Sequence, residues 1–538
     1  MSLPSPSKSL PSPSRSLPFP SRSLRATAAL LLLSFLANHS FAQLRDSVID
    51  RIVREETENS QLQTLAHELF DGIGPRLVGT PQMEKAGEWA VAKYTGWGIP
   101  AHNEKWGEWH GWERGVSHID MVYPRVKSLE GTQLAWSPGM GDRTITADLV
   151  ILPDLADSMA FQQWLPAVKG KFVMISMLQP TGRPDYNWQE FATKESFEKM
   201  KKERTAQQEA WANRLKKTGY TNKTLPVALE KAGAAGIVSS NWSAGFGVDK
   251  IFGAYTKKIP TIDIALEDYG VLYRLTASGD KPRISVHTEA KDRGPVPTFN
   301  TIAEIKGSEK PDEYVILSAH FDSWDGGTGA TDNGTGTLTM MEALRILKTV
   351  YPNPKRTILV GHWGSEEEGL NGSRAFVEDH PEIVKRIQAV FNQDNGTGRV
   401  VNLSGQGFLN SYDYLGRWLS KVPSYIRDSI QTHYPGTPGG GGSDFASFIA
   451  AGAPAFSLSS LNWSYGSYTW HTNRDTYDKI VFDDLRSNAI LVAALAYMAS
   501  EDPATTSREK SVLPVNTRTG EQIKWPEPVK SIRRGGLD

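Results

Sequence analysis

From residue 296 onward the chain alternates short, continuously apolar runs with amphipathic ones. The apolar runs are "EYVILSAHFD" (313–322), "RTILVGHWG" (356–364), "IQAVFNQD" (387–394) and "APAFSLSS" (453–460). Between them lie helical patterns: "GTLTMMEALRILKTV" (336–350), "GSRAFVEDHPEIVKRI" (372–387), "SDFASFIAAG" (443–452) and "FDDLRSNAILVAALAYMAS" (482–500). A strand apolar on both faces must be covered on both faces, and strands separated by helices run parallel. The spacing therefore predicts an α/β chain, a mostly parallel sheet inside a three-layer α/β/α domain. In such sheets ligands bind beyond the carboxyl ends of the strands.

Those ends carry polar chemistry. The first run closes on His320 and Asp322, the second leads into Glu366, Glu367 and Glu368, and the third into Asp394. His471 follows the fourth after a short loop, and Asp332 stands in the glycine-rich "GATDNGTG". Any one of these has an ordinary explanation, such as an Asx turn or a solvated carboxylate. Their arrival at one edge together is harder to explain without a cation, because converging carboxylates repel and resist ionising. The chain contains no cysteine, so a metal here must be held by His, Asp or Glu, a donor set suited to zinc or manganese. Two divalent ions would balance Asp332, Glu367 and Asp394 together with one bound hydroxide, and ions ~3.5–4 Å apart can share one carboxylate. Asp332, on flexible backbone, is the best bridging candidate. Periodicity does not choose among the three adjacent glutamates.

The stretches "HFDSWDGGTGATDNGTG", "SEEEGLNGS", "NQD", "GGSDFASF" and "WHTNRDTYD" resemble, in order, the motifs of the co-catalytic di-zinc exopeptidases. That group includes bacterial leucyl aminopeptidases, carboxypeptidase Q and glutamate carboxypeptidase. The resemblance implies two zinc ions per chain, with His320 and Asp394 on one, Glu367 and His471 on the other, and Asp332 between them. It further implies a cis peptide after Asp332, Asp322 orienting His320, and Glu366 as general base, with Glu368 in a variable slot. The activity implied is hydrolysis of peptide bonds as an aminopeptidase or dipeptidase. Carboxypeptidase specificity, a single-zinc glutaminyl cyclase and a non-catalytic receptor-like relative are the alternatives. Arg374, Arg399 and Arg474 are candidates to catch a substrate carboxylate. Tyr465, Tyr468 and Asn473 are candidate substrate contacts. His362 reads as packed, and Asp444 as a helix cap or a neighbour of the site.

The rest of the chain is organised around this block. Residues 1–42 read as a repetitive leader, "SLPSPSK", "SLPSPSR", "SLPFPSR", followed by a signal peptide cut near Ala42. Export to the periplasm or outside follows, without stable membrane insertion. Residues 43–125 form the helical beginning of the peptidase domain, with helix patterns read as far as 105. Residues 126–295, with short apolar runs and a charged helix near 197–220, resemble an inserted protease-associated domain. The catalytic domain spans 296–505 and a polar tail 506–538, which wraps the surface or frays. A net charge of −1, from 59 basic and 60 acidic residues, speaks against nucleic acid or an anionic membrane as partner. The expected partner is a peptide substrate; oligomeric state is left open.

Overall fold

The computed structural model describes residues 47–536, so the expected leader and signal peptide lie outside the described residues. Contacts divide the chain into Met1–Arg51 and Ile52–Asp538. Of the first unit, the described residues open a helix, Val48–Asn59. Everything below concerns the second.

Its centre is the predicted mixed, mostly parallel sheet with helices on both sides. Lys310–His320 lies between Arg356–Trp363 and Ile387–Asn392, and Ala455–Ser460 follows on the far side of the latter, all parallel. Every residue of Arg356–Trp363 and Ile387–Asn392 is buried, as a sheet covered on both faces requires. Thr335–Val350 packs with Phe482–Glu501 in one helical layer, and Asn371–Asp379 with Phe445–Ala450 in the other. In the second layer Trp363 meets Phe376 and Phe448 at ring separations of 5.0 and 5.7 Å. The register pairs Trp363 with His320 and Asn392 with Ser318, so the strands finish nearly level.

The predicted helix over 372–387 is two helices, Asn371–Asp379 and Pro381–Lys385. Pro381 lacks the N–H that would continue the first and sits favourably at the start of the second. The helix Pro81–Gly96 matches expectation: Thr80 caps it by accepting from the Met83 N–H, and Gly98 beyond its end takes φ 71°.

The helical reading up to residue 105 fails over its last residues, for Ala101–Tyr123 is one long strand. It pairs antiparallel with Arg283–Ile305 along nearly its whole length. The far end of this ribbon joins Ile145–Ile151, and parallel strands Phe172–Met174, Gly236–Ser239 and Thr261–Ile264 continue the sheet. A core of Phe172, Met174, Val238, Ile262 and Ile264 packs against Tyr269 and Leu272 of the helix Leu266–Ser278. The charged helix Lys194–Lys217 lies alongside, burying only Met200 and Trp211.

The described tail wraps rather than frays. Arg508 donates to the carbonyls of Val384 and Ile387, and Trp525 packs on Phe408. Arg533 pairs with Glu378 and Asp379 before Arg534–Gly535 joins the long strand in parallel. No helix of the described residues is long and apolar enough to cross a membrane.

Candidate metal centre

His320 ends its strand, and its Nε2 lies 3.0 Å from Asp394 Oδ1 and 3.6 Å from Asp332 Oδ1. His471 Nε2 lies 3.0 Å from Glu367 Oε2 and 3.5 Å from Asp332 Oδ2. Two triads result, His320–Asp332–Asp394 and Asp332–Glu367–His471, the donor atoms of each within 4.8 Å of one another. Asp332 gives one oxygen to each. The Asp332–Asn333 peptide is cis.

Three loops hold this arrangement. The Asp322 carboxylate accepts the Glu366 N–H at 3.0 Å and the Glu367 N–H at 3.1 Å. His320 Nδ1 lies 3.0 Å from the Asp322 carbonyl, and 3.7 Å from its carboxylate. Asp322 thus meets His320 through its main chain and spends its side chain on the "GSEEEG" turn. Ser365 takes a left-handed φ of 59°, as does His471 at 61°, departures costing of order 1–3 kcal/mol each for a residue with a Cβ. Gly329 is required: its φ is 61° and a Cβ would fall 2.3 Å from that of Ser323.

Two positioning residues stand outside the sequence expectations. Asp475, fully enclosed, accepts the N–H groups of Thr331 and Asp332 at 2.8 and 2.9 Å. Arg76, also enclosed, donates from Nε to the Phe321 carbonyl and from its terminal nitrogens to those of Gly74, Thr328 and Gly329. Burial pushes its pKa down to about 10, while Asp475, Asp322, Asp332 and Glu367 act against that. It lies within the "IGPRLVGT" loop (73–80), so a buried basic residue next to glycine and proline was the available signal.

The electrostatics leave room for a cation. The side chains of Asp332, Glu367 and Asp394 are only 5%, 3% and 7% exposed, and their ion-pair partners among the described residues are only His320 and His471. His471 cannot balance them, since burial pushes its pKa down to about 4. Burial and the Asp332 charge raise Glu367 well above the usual carboxylate range. Burial alone would lower His320, yet Asp394 and Glu366 outweigh it and hold the ring well above its ordinary value. Asp332 Oδ2 and Glu367 Oε1 have no hydrogen-bond partner. Orphaned carboxylate oxygens beside the neutral imidazole of His471 are a donor set that fits divalent zinc.

Around the triads, Glu366 belongs to neither, and burial raises its pKa strongly. The enclosed Asp444 is pushed up to about 7 by burial, and caps no helix N–H. Tyr465 directs its hydroxyl at Asp332. His362 accepts or donates a 2.8 Å bond with Tyr94 and is driven to about 3 by burial, in keeping with a packed role. The segment after Trp242 docks on the His471 loop: Ile251 N–H donates to the His471 carbonyl at 2.7 Å, and Asn473 N–H to that of Asp249 at 3.0 Å.

Residues 300–496 match the model of peptidase family M28. Carboxypeptidase Q of Rattus norvegicus is 27% identical over 469 residues, covering 86% of this chain and 90% of that protein. Among solved structures, a peptidase M28 precursor from Shewanella amazonensis SB2B superposes with a TM-score of 0.62 at 22% identity, covering 85% of this chain and 97% of that one. A zinc aminopeptidase from Bacillus subtilis superposes with a TM-score of 0.52 at 20% identity, covering 84% and 97%. These two likenesses concern the fold.

Proposed function

Since the chain carries a domain of peptidase family M28, we propose that it is a zinc-dependent exopeptidase of aminopeptidase or dipeptidase type. The observation that carries this reading is the pair of buried donor triads sharing Asp332. One zinc would be held by His320, Asp332 and Asp394, the other by Asp332, Glu367 and His471. Zinc bound there supplies Lewis-acid polarisation of a peptide carbonyl and lowers the pKa of water from 15.7 towards ~7.

The chain's own residues do the remainder. Glu366 accepts a proton from the attacking water and delivers it to the leaving amine nitrogen. Its raised proton affinity suits the second half of that duty. Asp322, gripping two consecutive N–H groups, keeps Glu366 and Glu367 apart in role. Asp475 and Arg76 fix the loop that presents Asp332. In keeping with the expected signal peptide, the protein acts after export, and residues 126–295 serve as a protease-associated-type insert beside the site.

Metal analysis of protein purified without chelator tests the reading. Zinc near two per chain, with chelation abolishing hydrolysis of aminoacyl-anilides or dipeptides and zinc restoring it, is the expected result. A ratio near one would select a single-zinc cyclase, and a ratio near zero a receptor-like relative.

A further inference from the structure

Lys250 comes from the segment that docks on the His471 loop. Its main chain forms an isolated bridge with Thr472, and the next residue, Ile251, bonds to the His471 carbonyl. Lys250 is 7% exposed. Among the described residues its ammonium has no ion pair and no hydrogen-bond acceptor; its close neighbour is the face of Trp470, 4.0 Å from the ring centroid. An ammonium whose close neighbour is a ring remains available to an incoming anion. Trp470 and Thr472, which Lys250 meets with its side chain and its main chain, flank His471, which places Lys250 beside the second triad. Trp470, Phe252 and Trp324 crowd His471 at ring separations of 4.0, 5.2 and 5.8 Å. The surroundings are thus apolar walls, one cation and a catalytic edge.

Arg76, Arg114, Arg399 and Arg474 are committed elsewhere. Arg76 is spent on carbonyls. Arg114 pairs with Asp325 at 2.6 Å, Arg399 with Asp484 at 3.5 Å, and Arg474 with Glu130 at 2.7 Å. Arg374 lines a groove beneath tail residues 526–530. Of the three arginines expected to catch a carboxylate, Arg399 and Arg474 are thus paired elsewhere.

We propose that Lys250 binds the free α-carboxylate of the substrate, so that the enzyme selects dipeptides and the C-terminal bond of longer peptides. This rests on the peptidase reading above. A single ammonium among aromatic rings matches a single carboxylate on an apolar residue, and the ion pair closes only when substrate arrives. The insert, through this one side chain, sets specificity while the strand ends supply catalysis.

The test compares Ala-Phe with Ala-Phe-amide in the zinc-loaded protein and in Lys250→Met and Lys250→Arg. The wild type should favour the acid in kcat/KM by about 100-fold. Lys250→Met, which keeps the apolar stem on Trp470, should bring that ratio towards one, chiefly through KM for the acid. Lys250→Arg should restore most of the preference. A wild-type ratio near one, or a ratio unchanged in Lys250→Met, overturns the proposal, as does equal loss on both substrates in both variants. If the wild type hydrolyses neither, the peptidase reading fails separately, and calorimetric binding of Ala-Phe decides: binding lost in Lys250→Met upholds the carboxylate site, and no binding overturns it.

Discussion

The strands around His320 and those around Phe172 are alike in plan. Each set is apolar, buried and mostly parallel, and each finishes at a common edge. The first set runs on into Asp322, Glu366 and Asp394. The second runs on into Leu152, Ile175, Ser240 and Ala265. A parallel sheet delivers chain ends to one side whatever their chemistry; only the residues placed just past the last hydrogen bond turn that edge into a centre. The second set still reaches the chemistry, but through the loop carrying Asp249, Lys250 and Ile251.

The largest effect that can break this contrast is Glu366→Gln. It should lower kcat about 10²–10⁴-fold while zinc content, measured by mass spectrometry, stays unchanged; near-normal turnover would take the proton-transfer role away from this end. In the other set, Phe172→Ala should cost about 3–5 kcal/mol of stability in denaturant titration, with kcat of the folded fraction unaltered. A kcat that fell in step with stability would show the two sets to be one catalytic unit. Smaller again is Asp322→Asn. An amide group facing the Glu366 and Glu367 N–H groups removes one acceptor, and zinc affinity or kcat should drop about 10–100-fold.

The smallest effect concerns the loop between the sets. Burial, with Asp263 adding to it, pushes Asp249 up to about 9. The folded chain therefore keeps a proton that the unfolded chain releases above about pH 4. That stabilisation is complete below about pH 4 and is lost as pH rises through 9. Asp249→Asn should leave Tm nearly unchanged at pH 4 and raise it increasingly towards pH 9, by a few degrees. A constant offset across that range would rule out titration of Asp249.

Much of this was legible in the sequence because it is local. Apolar runs bounded by glycine and charge marked the strands of both sets, and the helices at 81–96 and 194–217 carry their caps beside them. Of the triad residues, His320, Glu367 and Asp394 stand at or just past strand ends, so the strand pattern already gathered them, while Asp332 and His471 stand in the loops that follow. What escaped is decided by distant partners. The strand Ala101–Tyr123 contains Gly107, Gly111 and Gly115, and its register slips between Lys105 and Gly107, Gly111 and Trp112, and Arg114 and Ser117. Such bulges erase the alternation that identifies a strand, and it takes Arg283–Ile305 to define it. Arg76, Asp475 and Lys250 act on carbonyls, N–H groups and a ring far away in the chain, which no spacing announces. Asp322 faces His320 Nδ1 with its carbonyl while its carboxylate accepts from the turn, a division of labour that only the folded loops reveal.

The long ribbon has an architectural consequence. Gly111 stands opposite Gly294, so the chain leaves for the strands around Phe172 and returns from them one strand spacing apart, about 4.8 Å. A two-residue hairpin turn could close that gap. Splicing there would discard Lys250 together with Trp112 and Arg114, and would keep every member of both triads. The two sets of strands are thus joined twice, by the covalent crossing at these facing glycines and by the docking of residues 249–251 on the His471 loop.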